Sequence, residues 1–421
     1  MAPPAAVERF TREQLGIVGL VGAIQLVNIL DFVMVMPLGP WFGAIGISPS
    51  QMGLVGGAYT LAACVAGLAG ASFLDRFGRK AAILVCLVGL SLGTLGGALA
   101  VDLPTLLLAR VVAGAFGGPA TSLAVSIIAD TVSPGLRGRA MGLVMAAFAA
   151  ATVFGVPFGL WCAEQWSFRA PFVVVGLVAA VVIALAAVQL PPLRGHLALA
   201  GAGTPGSSLE LLTRPLVLIS YLMTAVVMMA GFAIIPNISN YLHLNLGVPL
   251  DEMKHFYLVG GLGSLAATQA AGRLVDRFGS FKVAVVGTLI VLPVVYSVYY
   301  RGELVLPVVV VQTAFMIGMG FRNVSYNSLT TKVPGPTERA RFTSFQSAVQ
   351  HGASALAAMS GTWLLSVVPR APQPGDLPGR EPTQLSGMPT LALMSMALTA
   401  LVPLLVYTVE GRVLPKRARV D

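Results

Sequence analysis

Apolar runs of about 20 residues, separated by short polar stretches, follow one another along nearly all of the 421-residue chain. A helix needs about 20 apolar residues to cross ~30 Å of hydrocarbon. Helices are required because lipid leaves open backbone groups unpaired, and no run shows the alternation of a barrel strand. We therefore expect an all-α membrane protein with twelve transmembrane helices. The predicted spans are 15–38, 51–73, 81–101, 103–128, 140–163, 170–190, 215–241, 254–273, 282–300, 303–329, 341–367 and 386–409.

Composition and motifs exclude most soluble chemistries. Hydrophobic residues make up 56% of the chain and charged residues 10%, whereas soluble domains carry about a quarter charged residues. The 47 glycines are scattered within the apolar runs, as in closely packed membrane helices. No Gly-Lys-Ser/Thr phosphate loop and no Cys/His spacing typical of a metal site occurs in the sequence, so we expect no cofactor, no metal and no ATP-driven step.

The basic residues predict the orientation. Of the 26 Lys and Arg residues, 19 fall in the two tails and in the loops that share a side with them. The positive-inside rule therefore places both termini in the cytoplasm, and an even number of spans independently puts them on one side. The +9 net charge thus reflects topology, and we expect a multi-pass protein of the inner (cytoplasmic) membrane that does not bind nucleic acid.

A long connection and an internal repeat divide the chain. Residues 191–214, rich in Pro, Gly and Ser, form the longest cytoplasmic connection, and both they and the external loop 370–387 are expected to be irregular. The sequence Asp-Arg-Phe-Gly at 75–78 recurs at 276–279, after an interval of 201 residues and six spans. We predict a tail (1–14), a six-helix bundle (15–190), a linker (191–214), a second bundle (215–409) and a basic tail (410–421). Two pseudo-symmetric bundles indicate a transporter whose site lies between them.

Three motifs stand out, at residues 71–80, at residues 106–114, and at Gly155, Pro157 and Gly159. Together they resemble signatures of the major facilitator superfamily, and within it those of the twelve-span drug:proton antiporters and sugar-efflux-like permeases. Residues 71–80 resemble the family's loop signature, although Ala71 stands where glycine is usual. Residues 106–114 resemble its fourth-span signature, with Ala113 in place of the common glutamine. Gly155, Pro157 and Gly159 in span five resemble the antiporter signature. The resemblance implies alternating access and favours export, but it names no substrate.

Asp31 is the only acidic residue deep within a predicted span. A carboxylate in hydrocarbon is costly, so it should face a cavity, meet a cation or be protonated. Asp31 lies ~24 Å along its outward-running helix, and Arg110 lies ~10 Å from the outer end of its inward-running helix. Both therefore belong to the outer half of the membrane, where they serve either proton coupling and substrate contact or a static ion pair.

Arg110, Gly114, Gly117 and Thr121 share one face of span four, because they recur at i, i+4, i+7 and i+11. This face predicts close helix packing with the arginine directed into the bundle. Arg110 is then either a functional cation or an anchor for helix packing.

Polar side chains in spans ten and eleven are too numerous for a lipid-facing surface. They line the cavity or form hydrogen bonds between helices, and His351 can titrate near neutral pH or be a packing residue. Five methionines offer an adaptable apolar lining or ordinary core contacts: Met34, Met36, Met223, Met228 and Met229. The cavity candidates are Asn28, Met34, Arg322, Asn323, Tyr326, Asn327, Gln346, Gln350 and His351.

A conformational clasp is implied by the family's loop pattern. By that resemblance Asp75 faces the start of span eleven near Ala340, where a helix dipole favours an anion, and Arg79 pairs with Asp130. Asp276 and Arg277 repeat the motif in the second half. The alternative is that these charges only set topology.

We therefore expect a monomeric secondary transporter in the lipid bilayer, driven by proton entry, that exports small amphipathic compounds. One rival is uptake or facilitated diffusion of a sugar or organic anion. A second is a non-transporting scaffold or sensor, which the cost of intramembrane charges disfavours.

Overall fold

The protein was analysed as a computed structural model that describes residues 10–73, 76–133, 136–194, 208–335, 338–371 and 382–413. It is built almost wholly of helices, with one two-stranded sheet. The helices are α1 (Arg12–Met34), α2 (Met52–Phe73), α3 (Arg79–Ala98), α4 (Leu103–Thr131), α5 (Arg137–Ala150), α6 (Val156–Gln165), α7 (Arg169–Gln189), α8 (Ser208–Thr213), α9 (Pro215–Phe232), α10 (Ile238–Leu246), α11 (Leu250–Phe278), α12 (Ser280–Val294), α13 (Val308–Thr330), α14 (Arg339–Leu364) and α15 (Met388–Val413). The strands are β1 (Ser366–Pro369) and β2 (Thr383–Ser386).

Within the described residues, nine helical segments are long and apolar enough to cross a membrane: α1 to α4, α7, α9 with α10, α12, α13 and α15. The other three predicted spans correspond to α5 with α6, to α11 and to α14. These segments are long, but α11 carries charges near both ends and α14 carries Gln346, Gln350 and His351 in its middle. The count of twelve spans stays a prediction.

The helix ends differ from the sequence prediction where proline intervenes. The first span was expected to run to residue 38, but α1 ends at Met34 and a 3-10 helix follows at Gly39–Ile45, with Pro40 in its first turn. The seventh span is broken after Phe232, and a 3-10 turn at Ile235–Asn237 contains Pro236. Proline removes a backbone donor and crowds the preceding turn, which explains both breaks.

Two segments that were expected to be irregular contain regular structure. Thr383–Ser386 pairs antiparallel with Ser366–Pro369, with Val367 opposite Leu385. Ser208–Thr213, at the end of the predicted linker, forms the short helix α8. The paired strands are separated by 13 residues in the sequence, so no local sequence pattern predicts that they pair. Residues 195–207 and 372–381 lie outside the described residues.

Short connections make successive long helices antiparallel and give the bundle two distinct ends. We call the end with the β1–β2 hairpin and residues 35–51 the hairpin end. We call the end with residues 76–78, 132–133 and 331–335 the basic end, because most of the described Lys and Arg residues lie there. By the positive-inside rule the basic end is the predicted cytoplasmic side.

The two halves of the chain touch at the hairpin end. Lys254 Nζ lies 2.5 Å from Glu164 Oε2, and Asn240 Nδ2 donates to the Pro49 carbonyl at 3.4 Å. A Cβ added at Gly53 of α2 would overlap the Ala358 carbonyl oxygen of α14. These contacts close the hairpin end between the halves.

Candidate functional site

Three polar residues project from one face of α1 into the protein interior. Gln25, Asn28 and Asp31 are spaced by three residues, which aligns them along the helix, and all three side chains are buried. The helix begins at a capping box in which Thr11 and Gln14 satisfy each other's backbone donors. The N-terminal end of the helix is therefore anchored locally, and its polar face is available to the neighbouring helices.

Asp31 forms a two-pronged ion pair with Arg110 of α4. Arg110 Nη2 lies 3.0 Å from Asp31 Oδ1, and Nη1 lies 3.1 Å from Oδ2 and 3.2 Å from the Asp31 carbonyl oxygen. Both side chains are buried, with exposed fractions of 1% for Arg110 and 0% for Asp31. Thr94 of α3 donates a further hydrogen bond to Oδ1 at 2.7 Å. The shared depth predicted from the sequence thus corresponds to direct contact, and the carboxylate has three side-chain N–H or O–H donors.

Aromatic rings enclose the guanidinium group. The Arg110 Cζ atom lies 5.7 Å from the centre of the Tyr59 ring and 5.4 Å from that of Phe172, within the range of cation–π attraction. The Tyr59 hydroxyl donates to Asn28 Oδ1 at 2.9 Å. Helices α1, α2, α4 and α7 are therefore joined around one buried ion pair.

The side chain of Asn28, a predicted cavity residue, forms hydrogen bonds to two neighbouring helices. Its Nδ2 donates to the Gly117 carbonyl at 2.9 Å and to Thr121 Oγ1 at 2.7 Å. With the Tyr59 bond, both ends of the amide have partners. Met34, another predicted cavity residue, lies in the main hydrophobic core with 2% exposure. In this conformation both residues serve packing.

The small-residue face of α4 makes this arrangement possible. A Cβ added at Gly114 would overlap the Tyr59 carbonyl oxygen, and one at Gly117 would lie 2.7 Å from Asn28 Oδ1. Real Cβ atoms do not approach that closely, so only glycine lets α1 and α2 come this near to α4. The close packing predicted from the spacing of this face is present.

The span-five signature lies at a change in helical winding. Gly155 ends a π-helical segment, Ala151–Gly155, and Pro157 stands in the first turn of α6. A Cβ at Gly155 would overlap Leu30 of α1, and one at Gly159 would lie 3.8 Å from Met34 Cβ. Gly155 therefore permits the close approach of this segment to Leu30 on the helix that carries Asp31, whereas the space at Gly159 is that of an ordinary contact.

An aromatic contact crosses between the halves beside the ion pair. Phe32, the residue after Asp31, stacks on Tyr59 with ring centroids 5.1 Å apart and on Phe232 of α9 with centroids 6.0 Å apart. Sequence reasoning missed these phenylalanines, as well as Tyr59 and Thr94, since a lone ring or hydroxyl in an apolar run carries no distinctive pattern.

The polar residues of α13 and α14 are only partly brought together. Gln350 Nε2 donates to the Tyr326 hydroxyl at 2.8 Å, and Tyr326 and Gln346 are buried. Asn323 and His351 are partly buried, whereas Asn327 is exposed.

Arg322 is buried without a carboxylate partner in the described part of the chain. Its Nη1 contacts Met319 Sδ at 3.4 Å and Thr399 Oγ1 of α15 at 3.3 Å. Its Nε and Nη2 find no hydrogen-bond partner among the described residues.

At the basic end, Arg79 Nε and Asp130 Oδ2 lie 3.2 Å apart, as the family resemblance implies. Asp75 lies outside the described residues. Asp276 and Arg277 are exposed at the end of α11, and Arg277 lies over the Phe278 ring.

A carboxylate that the sequence analysis left out of the clasp caps a helix in the second half. Glu410 of α15 accepts the backbone N–H groups of Ser280 at 2.6 Å and Phe281 at 3.2 Å. An anion at a helix N-terminus satisfies donors that lack partners within the helix. Gly279 precedes these residues with φ +87°, which favours glycine.

Helices of membrane-spanning length enclose Arg110, which is paired, and Arg322, which is unpaired among the described residues, and buried charges of this kind are typical of membrane transporters. The sequence profile of the Major Facilitator Superfamily matches residues 21–358. The chain belongs to this superfamily.

Two relatives are consistent with that assignment, and a solved structure has a similar fold. A chloramphenicol resistance protein of Streptomyces lividans is 26% identical over 280 residues, which cover 66% of this chain and 71% of that protein. A probable sugar efflux transporter of Pasteurella multocida is 25% identical over 242 residues, covering 57% of this chain and 59% of that one. A bacterial homologue of the human lysosomal transporter Spinster, in an inward-facing unoccupied conformation, superposes with a TM-score of 0.70 at 18% identity, covering 97% of this chain and all of that one. The last likeness concerns the fold alone.

Proposed function

We propose that this transporter exports small amphipathic compounds from the cytoplasm in exchange for protons. It would do so as a monomer of the inner membrane, with twelve spans in two six-helix bundles (15–190 and 215–409) and both termini cytoplasmic. The observation that carries the proposal is the buried Asp31–Arg110 pair.

The pair supports coupling because a carboxyl group that separates from its cationic partner inside the membrane can carry one proton. In the closed arrangement, two guanidinium N–H groups and the Thr94 hydroxyl donate hydrogen bonds to the Asp31 carboxylate. If α1 and α4 shift so that Arg110 withdraws, a carboxylate in a low-dielectric interior must take up a proton. Opening the site to one side and then to the other would therefore carry a proton across.

The substrate class is supported by the contact between halves. Phe32 and Phe232 stack across the interface next to Asp31, so separation of the halves exposes aromatic surface beside a polar group. Such a surface suits a compound with one apolar and one polar part. Export is favoured by the span-five signature at Gly155, Pro157 and Gly159, and by the similarity to a resistance protein and an efflux transporter.

The second candidate function is uptake or facilitated diffusion of a sugar or organic anion. The buried, uncompensated Arg322 favours an anion in particular, because a guanidinium fork matches carboxylate geometry.

Flux in inverted membrane vesicles, set against uptake in whole cells, tests the proposal. A proton gradient imposed with the vesicle interior acidic should drive accumulation of amphipathic compounds in vesicles that contain the wild-type protein, and substrate addition should dissipate the gradient. The matched control is Glu303→Gln, which also changes carboxyl to amide but at an exposed loop position. It should transport like the wild type. Accumulation by whole cells with no proton-driven accumulation in vesicles would overturn export.

A further inference from the structure

The second half holds a buried cation whose charge no described carboxylate neutralises. Arg322 has 0% exposure, and its contacts to Met319 Sδ and Thr399 Oγ1 are both neutral. An isolated ion in a low-dielectric interior costs several kcal/mol, even after relaxation. Something besides the neutral contacts must offset that cost.

In the first half, the buried arginine Arg110 has a carboxylate partner, Asp31. Arg110 and Arg322 both project from the fourth helix of their half, as the predicted repeat counts helices. Each lies against the sixth helix of its half, through Phe172 in one case and Thr399 in the other. In the first half the two terminal nitrogens of the guanidinium hold the two oxygens of Asp31, and Thr94 donates a hydroxyl to the same carboxylate.

In the second half, Arg322 contacts the Thr399 hydroxyl but has no carboxylate partner among the described residues. Thr399 Oγ1 accepts from Arg322 Nη1 and still has its own proton to donate. Arg322 Nε and Nη2 point where no described acceptor lies. The aliphatic part of the Arg322 side chain packs closely against α12, since a Cβ added at Gly287 would lie 3.0 Å from Arg322 Cγ. Arg322 thus presents the Nε–Nη2 edge of its guanidinium without a described acceptor, whereas Arg110 holds Asp31 through its Nη1–Nη2 edge.

We propose that Arg322 and Thr399 form an anion-binding site in the second half, which takes a single negatively charged group such as a halide ion or the carboxylate of a transported compound. The Arg322 Nε–H and Nη2–H groups are its donors, and Thr399, which accepts from Nη1, orients the guanidinium. The site exists independently of proton-driven export, because anion binding requires neither a membrane nor a gradient. If the anion is the carboxylate of a substrate, the substrates include organic anions. This conclusion about the substrate class rests on the proposed transport function.

The test uses the purified full-length protein in neutral detergent, kept at constant ionic strength with a bulky sulfonate salt. Chloride is titrated in one arm and a small aromatic carboxylate, benzoate, in the other. Thermal unfolding and direct binding of the radiolabelled anion are measured in both. Binding should saturate at one anion per chain, and at one hundred times Kd the ratio of folded to unfolded protein should rise about a hundredfold.

The decisive variant supplies the missing carboxylate from within. Thr399→Asp places an acid beside Arg322, as Asp31 lies beside Arg110, so its anion affinity should fall at least about tenfold, in line with the loss of one charge-assisted bond. It should also melt higher than the wild type in the sulfonate buffer. Thr399→Asn is the matched neutral control and should keep its anion response. Arg301→Gln removes an exposed cation and should also leave the response intact.

The outcomes separate as follows. Saturable binding of chloride identifies a free inorganic anion, whereas saturable binding of benzoate alone identifies the carboxylate of an organic compound; both support the site. No saturable binding in the wild type, or equal binding in wild type and Thr399→Asp, overturns it. If Thr399→Asp fails to fold, Arg322→Gln replaces it, and undiminished binding by that variant overturns the site equally. None of these results depends on whether Asp31 couples transport to protons.

Discussion

Replacing Asp31 by asparagine leaves the size of the side chain nearly unchanged and removes its charge. Arg110 then remains buried with its positive charge uncompensated. An amide oxygen can accept one of the former hydrogen bonds, but the amide nitrogen is a donor and faces another donor. At least one charge-assisted bond is therefore lost, and the ion pair is broken.

The structure sets the size of the effect. Two hydrogen bonds from Arg110 reach the two carboxylate oxygens, and such bonds to charged groups contribute ~1.5–3 kcal/mol each. Their sum agrees with the ~3–5 kcal/mol that is typical for removal of one partner of a buried pair. A loss of that size lowers the folding equilibrium constant by ~2 to 4 orders of magnitude, so Asp31→Asn should show a clearly lower melting temperature in detergent.

A second substitution separates stability from coupling. Asp31→Asn combined with Arg110→Gln removes both charges and should recover most of the lost stability. If Asp31 carries the proton, the double variant should bind neutral substrate and exchange it across the membrane. It should fail to concentrate substrate in vesicles under a proton gradient, and its binding should no longer depend on pH.

Two results would refute this reasoning. Recovery of both stability and gradient-driven accumulation in the double variant would mean that the pair is only structural. A single Asp31→Asn variant that is stable and transports fully, with the pH dependence of the wild type, would exclude both the coupling role and the structural role.

Three further outcomes are expected. Gly114→Ala should lower the melting temperature strongly because the added Cβ overlaps the backbone of α2, whereas Gly19→Ala, which meets nothing within 4 Å, should leave it unchanged. Arg79→Ala breaks the 3.2 Å contact with Asp130 and should increase labelling of a cysteine introduced at the basic end, and unchanged labelling with lost transport would contradict the clasp. Gln350→Ala removes a hydrogen bond between α13 and α14 and should change affinity differently for different substrates if it lines the cavity, whereas a uniform loss of folded protein would show that it only bridges helices.

The sequence predicted those features that depend on spacing along one helix. Apolar run length predicted nine helical segments that, in the described residues, are long and apolar enough to cross a membrane, and the 3.6-residue period identified the packing face around Gly114. Depth along two antiparallel helices placed Asp31 beside Arg110, because the rise per residue converts position in sequence directly into height in the membrane. These are local rules that apply before any tertiary contact forms.

Contacts between distant segments were not predictable in the same way. Glu410 caps a helix that begins 130 residues earlier, and Phe32 meets Phe232 across the two halves. Thr94 completes the Asp31 site from a third helix. Each depends on how helices rotate and pack against one another, which the residue pattern of a single helix does not specify.

The two buried arginines together constrain the direction of coupling. If Asp31 takes up a proton, the interior of the bundle gains one positive charge, which attracts an anion at Arg322; by thermodynamic reciprocity a bound anion then favours the protonated form of Asp31. Mutually favourable binding suits transport of proton and anion together, whereas exchange requires the two to disfavour each other.

The Asp31→Asn variant imitates the protonated state of Asp31, so its affinity for chloride and benzoate distinguishes transport of proton and anion together from exchange. Higher affinity than in the wild type would favour the uptake of an organic anion with a proton, provided that benzoate is bound. Unaltered affinity would make the anion a fixed counter-ion of the second half, and would leave proton exchange at Asp31 free to drive export of a neutral or cationic compound.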